Sequence, residues 1–390
     1  LFVKKFARVL LTLVCVLLFA AAAGAETIKI GFNIPLTGDI PKVGEMAKQS
    51  AEMLKEQINA AGGLDVGGKK YQLDFIYVDN ETKPESAVNA ALKLIEGEKV
   101  LAMVGPMGSG RAVPAGEVAN NLKTVMVAPW STNPKTTLDR PYVFRACFLD
   151  DFQGPVAAKF ATQQLNAKTA AVLFDVAQDY SKGLSEFFKK SFEELHGAGS
   201  VVAYETFTTK DVDFSAQLTK IIKTKPDILF TPQYYNEVPL IVRQARELGF
   251  KGPILGSDSW GSAELMGLCG DDCKGQYFVT HYAAAGAKGA TKEFIDTFNA
   301  KYGQIPDDVG ALTWDATNMA LAAIKNMGAL SGDLSKDRDS LREAMASMRG
   351  FEGITGTMSY DGKIGDPAKC AVIVKINDAG EFTFHETVCP

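Results

Sequence analysis

Val100-Leu-Ala-Met-Val104, Gly105-Pro-Met-Gly-Ser-Gly110 and Arg111 to Leu122 follow one another directly, as a short apolar run, a glycine-rich turn and a segment with helical spacing. Read together they are a buried strand, a tight loop and a helix. Glycines allow a ligand close to the backbone, and a helix start offers free N–H groups and the positive end of its dipole to an anion. Ser109 adds a hydroxyl. Gly105 and Gly110 have the spacing of a phosphate loop, but Arg111-Ala112 stands where Lys-Ser/Thr must grip phosphate and magnesium, so that reading fails. A nucleophile elbow fails too, because Met107 and Arg111 occupy its glycine positions. A plain tight turn also fits.

Outward from this unit the same cycle recurs. Before it come strand Thr27–Ile34, helix Val43–Ala60 ending at Gly62-Gly63, strand Tyr71–Val78 and helix Pro84–Glu96. After it come strand Val125–Ala128, helix Phe152–Leu165, strand Ala170–Phe174, helix Tyr180–Leu195 and strand Val201–Phe207. Helix Phe214–Ile222, strand Ile228–Thr231, helix Glu237–Leu248 and strand Ile254–Leu255 continue the series. Strict alternation with continuously apolar strands predicts an α/β protein with two doubly wound parallel sheets, one on either side of about residue 149. The tail departs from it, with helices expected at Thr291–Tyr302, Ala311–Met327 and Ser340–Met348, then a hairpin between Cys370 and Cys389.

The N-terminus reads as an export signal. Lys4, Lys5 and Arg8 precede an uncharged run from Val9 to Ala23, and Ala23-Gly24-Ala25 supplies small residues for cleavage. Residues 1–25 are therefore expected to be a signal peptide cleaved after Ala25, leaving a periplasmic chain. Removing its three basic residues from a total of 41 against 46 acidic ones leaves a net charge of −8. A mildly acidic chain with no basic block argues against a nucleic-acid partner. Five cysteines remain beyond the signal. Cys269 and Cys273 could close a small loop, Cys370 and Cys389 could clip the hairpin, and Cys147 reads as a buried free thiol. His196, His281 and His385 are scattered singly, which speaks against zinc. No metal or other cofactor is expected.

Open parallel sheets bind ligands beyond the carboxyl ends of their strands. Besides the loop at Ser109 and Gly110, two regions qualify. Ala128-Pro-Trp-Ser-Thr-Asn-Pro134 presents backbone N–H groups and the hydroxyls of Ser131 and Thr132, which with Ser109 would make a neutral carboxylate receptor; the same residues also suit turn capping. Tyr180, Tyr234 and Asp258 each follow a strand of the second half. Asp258 could pair with an ammonium, or cap the helix near Trp260, and the tyrosines could wall an apolar side chain.

Read in order, Ile30-Gly-Phe-Asn-Ile-Pro-Leu-Thr-Gly38, Ile58-Asn-Ala-Ala-Gly-Gly63, Asp79, Val104-Gly-Pro106, Pro129, Thr132-Asn-Pro134, Phe152-Gln-Gly154, Arg243-Gln-Ala-Arg246 and Gly256-Ser-Asp258 resemble the leucine/isoleucine/valine-binding-protein family. The resemblance runs from Ile28 to the C-terminus. It implies the type I periplasmic binding fold, in which three crossover segments join two lobes. They would lie near Leu149-Asp150, Val279–Tyr282 and Gly356–Ser359, giving lobes 26–149 plus 281–357 and 150–280 plus 358–390. By the same resemblance Ser109 and Thr132 bind a ligand carboxylate, Trp130 or Ser131 contributes backbone atoms, Asp258 holds an ammonium, and Tyr180 and Tyr234 form the aromatic pair of the second lobe. Asp258 is one methylene shorter than the family's glutamate, and Val43 stands where some members carry an aromatic residue. The implied function is that of a monomeric substrate-binding protein, not an enzyme, which captures a small aliphatic amino acid and delivers it to inner-membrane ABC permease subunits. An aromatic or other carboxylate as ligand, or a sensing role beside a membrane receptor, are the alternatives.

Overall fold

A computed structural model describes residues 26–360 and 365–390. The expected signal peptide, residues 1–25, lies outside the described residues. The first sheet is built from β1 (Thr27–Ile34), β2 (Leu64–Val66), β3 (Lys69–Asp79), β4 (Ala102–Val104), β5 (Val125–Ala128) and β6 (Val143–Arg145), in the order β2-β3-β1-β4-β5-β6. All its pairings are parallel except β2 with β3. The second contains β7 (Ala170–Asp175), β8 (Val201–Phe207), β9 (Ile228–Phe230), β10 (Ile254–Gly256) and β11 (Tyr277–Thr280). A small hairpin, β12 (Phe351–Gly353) with β13 (Gly356–Met358), precedes β14 (Ala371–Ile376) and β15 (Phe382–Val388), which join the second sheet antiparallel to give β15-β14-β11-β10-β9-β7-β8. Strands such as β4, β5 and β7 are buried at every residue, as expected where helices cover both faces of a parallel sheet.

The tail helices Gly289–Tyr302 and Asp308–Asn326 return to the first lobe and pack on helix Pro41–Ala60. Several expectations are corrected. The helix expected over Pro84–Glu96 is α-helical only to Leu92, and Lys93–Gly97 form a wider π turn. Short strands β2, β6 and β11 escaped the sequence reading, since three or four residues carry too little period to register. Around the expected third crossing, 356–359, the chain still belongs to the first lobe. The β12–β13 turn is held there by Asp315, whose Oδ1 and Oδ2 accept from the N–H groups of Ile354 (2.8 Å) and Thr355 (2.9 Å). Beyond it the Gly365 carbonyl accepts from Arg145 N (2.9 Å), and Asp366 pairs with Arg145 Nε (2.8 Å).

The structure pairs Cys269 with Cys273 and Cys370 with Cys389, and Cys147 stays free and buried. The second bridge sits one step beyond the Ala371–Val388 pair, closing the open end of the β14–β15 hairpin.

Candidate ligand-binding site

The first-lobe half stands at the carboxyl ends of β4 and β5. Gly108, at φ +80°, turns the chain out of the sheet so that helix Ser109–Asn121 begins at the cleft, and no side chain caps it. Its first N–H groups remain available to an acceptor. Ser109 Oγ accepts from Asn133 N (3.2 Å) and Ser131 Oγ (3.3 Å). Ser131 is tied back to Thr136 through their hydroxyls (2.7 Å), and its carbonyl accepts from Arg145 Nη1 (2.7 Å). Thr132 lies next in line, buried, its carbonyl accepting from Asp150 N (2.9 Å). Gly110 faces the second lobe: a Cβ there would stand 3.6 Å from Gln178 Oε1.

The second-lobe half is acidic and aromatic. Tyr180 enters helix Asp179–His196 just after β7, and Asp258 follows β10. Tyr180 Oη donates to Asp258 Oδ1 (2.5 Å) and lies 2.7 Å from Ser257 Oγ. Gln153 Nε2 donates to the same oxygen (2.8 Å), and His281 Nε2 reaches Oδ2 (3.4 Å). Asp258 therefore caps no helix; its carboxyl is turned inward. Burial pushes the His281 imidazole down to about 4 against the opposing pull of Asp258, so the ring is neutral and can donate. Burial, then Asp258, raises the Tyr180 hydroxyl well above its ordinary range and keeps it a donor.

Asp150 shares this region. It is fully buried, its carboxyl makes no hydrogen bond of ordinary geometry, and burial followed by the nearby Asp258 raises its pKa strongly against the opposing pull of the Thr132 hydroxyl, so it is held as the neutral acid.

The two halves meet. The Trp130 ring lies 5.8 Å from Tyr234, and Tyr234 lies 5.5 Å from Tyr180. Arg111 Nη2 donates across the seam to Tyr234 Oη (3.2 Å). Within the first lobe, Trp130 Nε1 donates to Asp308 Oδ2 (3.2 Å). Ser109, Trp130, Ser131, Thr132, Tyr180, Tyr234 and Asp258 thus gather in one buried zone, with Gly110 at its rim. Arg111, Asp150, Gln153, His281 and Asp308 belong to it as well, and the sequence reading assigned none of them a role in the site. Gln153 is the centre of Phe152-Gln-Gly154, Asp150 belongs to the expected Leu149-Asp150 crossing, and Arg111 directly follows the glycine turn; those positions were the signal. Among the described residues no group of His, Cys, Asp and Glu could hold a metal ion.

Such a zone offers hydroxyls and helix N–H groups on one lobe and carboxyls on the other, which suits a ligand with one anionic and one cationic end. The family model described as periplasmic binding protein matches residues 27–381. The chain belongs to that family. As a periplasmic binding protein it binds a solute and is not an enzyme. It is 32% identical over 343 residues to the leucine-, isoleucine-, valine-, threonine- and alanine-binding protein of Pseudomonas aeruginosa, covering 87% of each. The branched-chain amino acid transporter substrate binding protein LivJ of Streptococcus pneumoniae, solved with isoleucine, superimposes with a TM-score of 0.84 at 33% identity, covering 94% of this periplasmic binding protein and 100% of that chain. A solute binding protein of R. palustris solved with benzoate shares the fold, with a TM-score of 0.80 at 24% identity over 94% of this chain and 97% of that one.

Proposed function

We propose that this protein is the substrate-binding component of an ABC importer and captures an α-amino acid between its lobes. One observation carries the reading: the buried Asp258 carboxyl, already holding Tyr180 and Gln153, is turned into the cleft opposite Ser109 and Thr132. It is met only by the neutral groups Tyr180, Gln153 and His281, and a buried carboxyl so placed favours a cation, because burying charge without a partner is costly. An ammonium meets that need and benzoate does not. Opposite stand Ser109, Thr132 and the helix start, suited to the α-carboxylate, while Trp130, Tyr180 and Tyr234 can cover an apolar side-chain stem. Relatives named for branched-chain and other small amino acids support this class.

The ligand would be delivered to inner-membrane permease subunits by a monomer working in the periplasm, consistent with the signal-like residues 1–25; ATP would be hydrolysed by other subunits. A thermal-shift screen of the purified protein tests the reading. L-amino acids should raise its melting temperature and their deaminated analogues should not. Stabilisation by benzoate or by the deaminated acids alone would refute it.

A further inference from the structure

Arg111 is a buried cation of the cleft that the α-amino-acid reading leaves unused. Its side chain is only 2% exposed, and no carboxylate of the described residues lies within ion-pair distance of it. It is held in place by three neutral contacts. Nε donates to the Met107 carbonyl (3.1 Å), Nη2 donates to Tyr234 Oη (3.2 Å), and the guanidinium carbon lies 5.4 Å from the Tyr234 ring centroid.

The loop beneath is shaped around it. A Cβ at Gly108 would stand 2.0 Å from Arg111 Nη2 and 2.7 Å from Tyr234 Oη, so any side chain there would displace the guanidinium. The positive φ of Gly108 independently favours glycine.

Arg111 and Tyr234 both line a cavity of about 170 Å³ between the lobes, with Thr82 on one side and Gln178, Asn236 and Glu237 on the other. Glu237 is partly buried; desolvation, then Asp175 and Asp39, push its carboxyl up to about 8 while Arg111 pulls it down, and it lies beyond ion-pair distance of the guanidinium. Asp39, Lys210 and Asp211 stand at the mouth, exposed to water.

A buried guanidinium without an ionic partner gains most from an oxygen acceptor brought by the ligand. We infer that the amino acid bound here has a side chain ending in a carboxylate or carboxamide oxygen, which Arg111 receives in this cavity, so that the protein is selective for acidic or amide amino acids over branched-chain ones. The inference rests on the α-amino-acid reading above and narrows it.

Calorimetry on the purified protein with L-glutamate, L-glutamine, L-leucine and L-alanine tests it. Glutamate or glutamine should bind at least tenfold more tightly than leucine, and the better of the two tells whether the recognised end is carboxylate or amide. In Arg111→Met the loss for that ligand should exceed the loss for alanine tenfold or more. Leucine as the tightest ligand of the unmodified protein would overturn the inference, and this needs no variant to fold. Equal losses for alanine and for the preferred ligand in Arg111→Met would overturn it too, marking Arg111 as a latch between lobes. Binding of benzoate with none of the four amino acids would instead remove the α-amino-acid reading beneath it.

Discussion

Asp258 accepts from Tyr180 and Gln153 through one oxygen and faces His281 with the other, so its position is fixed before any ligand arrives. Replacing it with asparagine keeps the shape and removes the charge. Truncating one partner of a buried charge pair costs about 2–5 kcal/mol. Asp258→Asn should weaken an amino acid by that amount and its deaminated analogue far less; equal losses in calorimetry would place the ammonium elsewhere. His281 makes a pH prediction. Its folded pKa of about 4 lies below the ordinary value of 6.5, so between these values the unfolded chain binds the extra proton. Stability from the neutral ring is complete above about pH 6.5 and is lost as pH falls toward 4, by on the order of 2–3 kcal/mol. His281→Gln should flatten that part of the melting-temperature profile. An unchanged slope would assign the acid sensitivity to other groups.

Among the elements, the clipped hairpin is the most open to test. The Cys370–Cys389 bridge spans 19 residues of sequence and ties the antiparallel edge of the second sheet, whereas Cys269–Cys273 spans only 4. In the chain-entropy description, closing loops of these sizes restricts the unfolded chain by about 3 and about 2 kcal/mol respectively. Cys389→Ser should therefore lower the denaturant midpoint more than Cys273→Ser, and the reverse order would show that local packing outweighs loop entropy. Cys147 should resist alkylation in the folded protein under either condition, because burial pushes its thiol up to about 12.

Across the whole molecule, the proposed function requires a change in the distance between lobes. Ser109 and Thr132 ride on the first sheet and Asp258, Tyr180 and Tyr234 on the second, and the described conformation has them buried against one another. A ligand drives closure only by binding the closed state better than the open one. Small-angle scattering should show a smaller radius of gyration with amino acid than without. Asp258→Ala combined with Tyr234→Ala should leave the first-lobe contacts and remove most of that compaction. Full compaction of the double variant would mean that other second-lobe residues hold the lobes together.

The sequence by itself determined the alternation of strands and helices, the two sheets, the glycine turn at 105–110 and the residue types at the strand ends, because periodicity and turn chemistry are local. It also led to both cysteine pairs, one by its short spacing and the other because Cys370 and Cys389 flank a hairpin. Only the tertiary structure decided what lies across the seam. Arg111 meets Tyr234 across it over 123 residues of sequence, and within the first lobe Trp130 meets Asp308 over 178. Asp150 becomes a buried neutral acid only once β6 and the helix after it are docked beside Asp258. Charge in a folded cleft depends on distance and burial, and neither is written in local order.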